Sequence, residues 1–359
     1  MAPPDRKLVN GEMIVLGRQY RGMSAKELAD AMDISSSLLS MMERGTRTAS
    51  DETIASLSRV LRLNSTFFTR TDRVYPSNLH WRKSAKAGPR YVAAAEAEMN
   101  VHRLSAEQLL RSIQVTSKPL PSMDVEEHDS ASAIARSMRQ LWQVPKGPIL
   151  SLYDIIERNG VLVCLCDFES PDIDGRSMYT KDKQPILFVN RNSPMDRQRL
   201  TVAHELGHLV MHTNFPVSKD RDVEAEAMEF ASEFLMPSTE LRPQLSGPIK
   251  VELLADLKRY WKVSMQAILY RTRTERLITD TNWRRMWMEF NRLGIKRREP
   301  LELDPPLEKP VLFKRLVQMH QEELEMSLED IAELCGVLTT ELQEKYVEQG
   351  KRKQHLFLS

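Results

Sequence analysis

Cysteine is scarce. Cys164, Cys166 and Cys335 are the only three in 359 residues, too few for a disulfide framework and in keeping with a reducing compartment. Net charge is almost lacking too, with 51 Lys and Arg against 50 Asp and Glu. No global field draws the chain to nucleic acid or an anionic surface, so any DNA contact must come from a local patch. The opening MAPPDRKLVNGEM has no apolar core of a secretion signal, and no apolar run approaches bilayer-spanning length. These absences lead us to expect a cytoplasmic protein without membrane contact. What is present is an ordinary globular composition, 41% hydrophobic and 28% charged, in a chain long enough for two or three cores.

Residues 1–75 read as short helices. Ser24 is an N-cap with Glu27 in capping-box position, and Leu28, Ala29 and Met32 recur at helical spacing. A polar break at Asp33–Ser35 precedes a second short helix that turns Leu38, Leu39 and Met42 inward and stops at Gly45. A third helix, 52–63, braces the pair, as in a helix-turn-helix. Residues 76–125 read as a polar, helical linker, and TSKPLPSMDVEEHDS, 116–130, has the prolines and acidic residues of a linker. VLVCLCDF and PILFVN read as strands, and DIDGRSMYTKDK between them offers a third, edge strand. On VLVCLCDF, Cys164 and Cys166 point to one face. Ser193, Pro194 and Asp196 predict the start of a helix, and a further helix ends before Pro237. Residues 251–359 are nearly all helical. Within them MSLEDIAELCGVLTTEL faintly echoes MSAKELADAMDISSSLL of the N-terminal unit, and packing helices are expected there.

The stretch LTVAHELGHLVMH, 200–212, carries chemistry. HELGH fits H-E-x-x-H. On a helix, His204 and His208 lie one turn apart on one face and can grip one ion, while Glu205 sits beside them as general base. His212 shares that face but lies about 12 Å from His204 along the axis, too far for all three to hold one ion. A third ligand is therefore sought in DVEAEAMEFASEFLMP, where Glu224, Glu226, Glu229 and Glu233 are available. Glu226, at the edge of the apolar face made by Ala227, Phe230, Ala231 and Phe234, is preferred over Glu229 and Glu233, which read as a solvated face.

PILFVNRNSPMDRQRLTVAHELGHLVMH followed by EAEAMEFASEFLMP resembles the ImmA/IrrE family of metallopeptidases. That resemblance covers roughly residues 130–300 and implies a Zn2+ site of His204, His208 and Glu226 with Glu205 as catalytic base. DISSSLLSMMERGTRTASDETIASLSRVL resembles the Xre-type helix-turn-helix of phage repressors. It implies that Ser35, Ser36, Ser37 and Ser40 face the DNA major groove and that Arg44 and Arg47 hold phosphates. Ala25 stands where many members carry Gln, and the second helix has no Arg, Asn or Gln for bidentate base readout.

The expected fold is mainly α with a small β-sheet (α+β). It has a helix-turn-helix at 1–75, a zincin-like metallopeptidase domain at 126–250 and a helical C-terminal region. The resemblances imply a DNA-associated zinc metalloendopeptidase that cleaves a repressor or related regulatory protein. An operator with two half-sites would make it a homodimer. The alternative is a non-proteolytic transcriptional regulator or antitoxin whose peptidase-like domain senses a ligand or partner.

Overall fold

The computed structural model describes residues 6–7, 9–75, 88–113, 119–215, 217–218 and 220–348. Parts of the expected 76–125 linker, residues 76–87 and 114–118, lie outside the described residues.

Short helices with alternate apolar positions open the chain: α1 (Gly11–Tyr20), α2 (Ala25–Ala31), α3 (Ser36–Glu43), α4 (Asp51–Leu61) and α5 (Ser65–Phe68). Strand β1 (Arg6–Lys7) pairs antiparallel with β2 (Ala49–Ser50). The Ser24–Glu27 capping box is present at the start of α2, and Asp33 takes a left-handed φ of 53° at the turn into α3. The expected helix-turn-helix is therefore formed.

Next comes α6 (Pro89–Ser112), 24 residues long. It is no solvated linker. Asn100, His102, Arg103, Ser105 and Glu107 are all buried on it, and several of these polar groups are met by distant segments. Asn100 bonds both backbone groups of Tyr75, Arg103 donates to Arg73 O, and Glu107 accepts from Lys181 N. A polar helix can be a core helix when its partners are supplied elsewhere.

Helices α7 (Ala131–Leu141) and α8 (Leu152–Arg158) lead to three strands, β3 (Leu162–Cys166), β4 (Gly175–Tyr179) and β5 (Pro185–Asn190). Their order is β3-β5-β4, with β5 parallel to β3 and antiparallel to β4, so the expected edge strand exists. The sheet divides two hydrophobic cores by the period-2 alternation of its side chains. Ile186 and Phe188 join one core and Leu187 and Val189 the other.

On the second face lie α9 (Met195–Met211), α10 (Val223–Leu235), α11 (Ser238–Leu241), α12 (Val251–Trp261), α13 (Met265–Thr274) and α14 (Asp280–Arg292). Helix α9 starts one residue later than the sequence suggests. Pro194 is its N-cap, Ser193 Oγ bonds Asp174, and Asp196 accepts from buried Lys258 Nζ at 2.5 Å. The C-terminal region then splits. Residues up to Leu303 belong to the core around α9, whereas α15 (Leu312–Glu323), α16 (Leu328–Cys335) and α17 (Thr339–Leu342) cross back and complete the core of α1–α6.

The faint sequence echo has a structural counterpart. Ser327 and Asp330 form a capping box on α16, as Ser24 and Glu27 do on α2. Gly336 (φ 75°) turns the chain where Asp33 does, and Leu342 is as buried as Leu39. This second helix pair packs on the first: Leu63 bridges Val337, and Arg70 donates to Cys335 O. Tyr20 and Arg21 bond Glu341.

Candidate metal centre

Helix α9 brings HELGH to the sheet, and α10 lies across it. Gly207 permits that approach, because a Cβ there would sit 3.1 Å from the Phe230 ring. The close contact carries the first turn of α10 over His204 and His208. Glu224 reaches the pair, with Oε2 3.3 Å from His204 Nε2 and Oε1 3.6 Å from His208 Nε2. One donor atom from each of the three lies within 4.8 Å of the others.

The carboxylate that approaches the pair is thus Glu224, where the sequence suggested Glu226. Glu226 accepts instead from His212 Nε2 at 2.8 Å and from Arg221 at 3.0 and 2.8 Å. The reason is angular. At 100° per residue, Glu224 lies about 60° from the middle of the α10 packing face, and Glu226 about 100° away on the other side. Glu229 accepts from Ser132 N, and Glu233 is fully buried against Arg271, so neither forms the solvated face expected of them.

The donor set fits a borderline divalent ion. The two Nε2 atoms of His204 and His208 face each other at 3.1 Å, close enough for one cation to meet both. Burial, reinforced by His204, holds the His208 pKa down at about 3, so its imidazole is neutral, the form that ligates. Two imidazoles and one carboxylate leave a fourth position open in a tetrahedral site. His212 is buried, and its Nδ1 lies 3.0 Å from His208 Nδ1. Since His212 Nε2–H donates to Glu226, its Nδ1 is the acceptor and His208 Nδ1–H the donor. That tautomer turns the His208 Nε2 lone pair toward the site.

Glu205 is buried beside this group and accepts from Ser177 Oγ of β4 at 2.8 Å. Ser177 carried no motif in the sequence. Its only signal is its place on the edge strand next to the α9 helix. Gly175 lets β4 close, since a Cβ there would meet Phe188 O at 2.5 Å and Thr201 Cγ2 at 2.6 Å. A cavity of about 320 Å³ opens between Arg176, Thr201, His204, Glu205 and Glu224. A larger groove of about 760 Å³ shares Arg197, Leu200 and Met228 with it and continues to Tyr270, Lys296 and Arg297. Tyr179 of β4 points its hydroxyl at Leu209 O. Arg199 is fully buried on Ile149 O and Glu308.

At the other end of the molecule Ser35, Ser36, Ser37, Arg44 and Arg47 are exposed and Ser40 is half-buried. Ser35 caps α3 through Leu38 N and also contacts Ser37 Oγ at 3.0 Å. Arg44 folds back on Ser40 O.

Residues 156–273 match the family model of the IrrE N-terminal-like domain. Residues 17–68 match that of the helix-turn-helix. A comparison with curated proteins gave no match. The chain is therefore a DNA-binding regulator with a peptidase-like domain. Its IrrE-like and helix-turn-helix units lie in the two lobes that share the β3-β5-β4 sheet. No helix among the described residues is long and apolar enough to cross a membrane.

Proposed function

We propose that this protein is a zinc-dependent endopeptidase that cleaves a DNA-bound repressor or related regulatory protein. The carrying observation is the convergence of His204, His208 and Glu224 with Glu205 held at their side. Bound zinc supplies Lewis acidity toward a scissile carbonyl and acidifies water at that position. Glu205 takes the proton of the attacking water and delivers it to the leaving amine. Ser177 orients the Glu205 carboxylate for that transfer. An extended substrate segment lies in the groove that adjoins the site, where Met228 and Tyr270 offer apolar contact. Lys296 and Arg297, exposed and in no ion pair among the described residues, favour an acidic stretch. Exposed Ser36, Ser37, Arg44 and Arg47 hold the enzyme on DNA near its substrate.

The test compares wild type with Glu205→Gln in cell extract. The variant is expected to keep zinc and to lose cleavage by at least about 100-fold, the lower range of a general base's contribution. A protein cut only by the wild type identifies the substrate. If Glu205→Gln cuts as fast as wild type, the proteolytic reading is wrong, and regulation that survives in this variant would favour the sensing alternative.

A further inference from the structure

The two cysteines on one face of β3 take no part in the HELGH site. They point away from it, into the core shared with α1–α6. Across that core α6 presents His102. A ring nitrogen of His102 and the sulfurs of Cys164 and Cys166 lie within 4.8 Å of one another, and the three residues are at most 3% exposed. His102 Nδ1 is 2.7 Å from the Tyr346 hydroxyl. Nε2 is buried without a hydrogen-bond partner, and the carboxylate of Glu98 is no nearer than 3.6 Å. An imidazole fixed on one side and unsatisfied on the other, aimed at two sulfurs, is the geometry of a ligand set.

The geometry points to a second metal site, in which His102, Cys164 and Cys166 hold a thiophilic cation, Zn2+ or Cu+, where α6 packs on β3. Two sulfurs and one imidazole select such ions over Mg2+ or Ca2+, which want oxygen. With Nδ1–H donating to Tyr346, the Nε2 lone pair is free to bind, and Tyr346 plays the outer role that fixes the tautomer. Because the ligating form is the thiolate, capture of the cation releases protons from the thiols. Lys345 bonds Glu98 at 3.0 Å beside His102. The site ties α6, β3 and the segment after α17 together, three parts remote in sequence. Because it is enclosed, exchange with chelators requires that core to open.

The experiment uses the full chain with His204→Ala and His208→Ala, which removes the HELGH donors. It is titrated with Co2+ as a probe for zinc and, under reducing conditions, with Cu+. About one cation per chain is expected to remain, with a thiolate-to-cobalt charge-transfer band in the near ultraviolet. Adding Cys164→Ser and Cys166→Ser abolishes the band, whereas Cys335→Ser leaves it. Tyr346→Phe weakens binding about 10- to 100-fold, the range for an outer partner of a ligating histidine. Absence of any bound cation or charge-transfer band in the chain with intact cysteines overturns the site. So does a band that persists without Cys164 and Cys166. If the cysteine variants fail to fold, the titration of the chain with intact cysteines decides.

Discussion

His212 has a partner on each ring nitrogen, Glu226 on Nε2 and His208 on Nδ1, and Arg221 completes the line behind Glu226. Removing charge at Glu226 weakens a support, whereas removing Glu224 removes a donor. Glu226→Gln is therefore expected to lower zinc affinity about 10- to 100-fold, and Glu224→Ala to lower it further. Competition with a chromophoric chelator measures both. The reverse order would put Glu226 back in the ligand role that its sequence neighbourhood first suggested. The two histidines were legible because a fixed i, i+4 spacing makes one face. The carboxylate was less so, because DVEAEAMEFASEFLMP offers several glutamates and only angle on the packed helix separates them. His212 was readable as unable to share the ion, and its link to His208 needed the geometry of both rings.

At the scale of elements, the site depends on two close approaches that glycines permit. Gly207 lets α10 lie on α9, and Gly175 lets β4 lie against β5 and α9. The second is the less forgiving, because a Cβ at Gly175 would collide with backbone oxygen of Phe188. Gly175→Ala is expected to destabilise by about 1–3 kcal/mol through overpacking. It also moves Ser177 away from Glu205. A fall in kcat with zinc content unchanged would show the displacement, alongside a lowered melting temperature. Full activity with unaltered melting would mean that β4 does not position the base. The helices and all three strands of the sheet follow from periodicity and turn residues. The role of α6 does not. Its Asn100, Arg103 and Glu107 look solvated in sequence, since the backbone groups that satisfy them come from Arg73, Tyr75 and Lys181. Burial of a polar helix is a property of its neighbours.

For the whole molecule, the sheet is a wall common to both cores, and the chain crosses it again after Leu303. Glu157 of α8 governs that crossing. Its carboxylate accepts from Val311 N at 2.7 Å and Leu312 N at 3.1 Å, where α15 begins and the chain leaves the core around α9 for that of α1–α6. Desolvation by burial outweighs these bonds and raises its pKa from 4.5 to about 7. A carboxyl with a folded pKa above its unfolded one holds more protons in the folded state, so stability falls as pH rises between 4.5 and 7. At 1.36 kcal/mol per pKa unit, the loss from this one group is at most about 3 kcal/mol. Glu157→Gln removes the titration and keeps one acceptor oxygen, so one of the two amides loses its bond at every pH. Its unfolding free energy, measured by urea denaturation across that range, is expected to fall less steeply with pH than that of wild type. The variant is the more stable of the two above pH 7 relative to their values at pH 4.5. Identical slopes would mean that the Glu157 carboxylate is solvated and that the crossing between the lobes is not pH-dependent at this point.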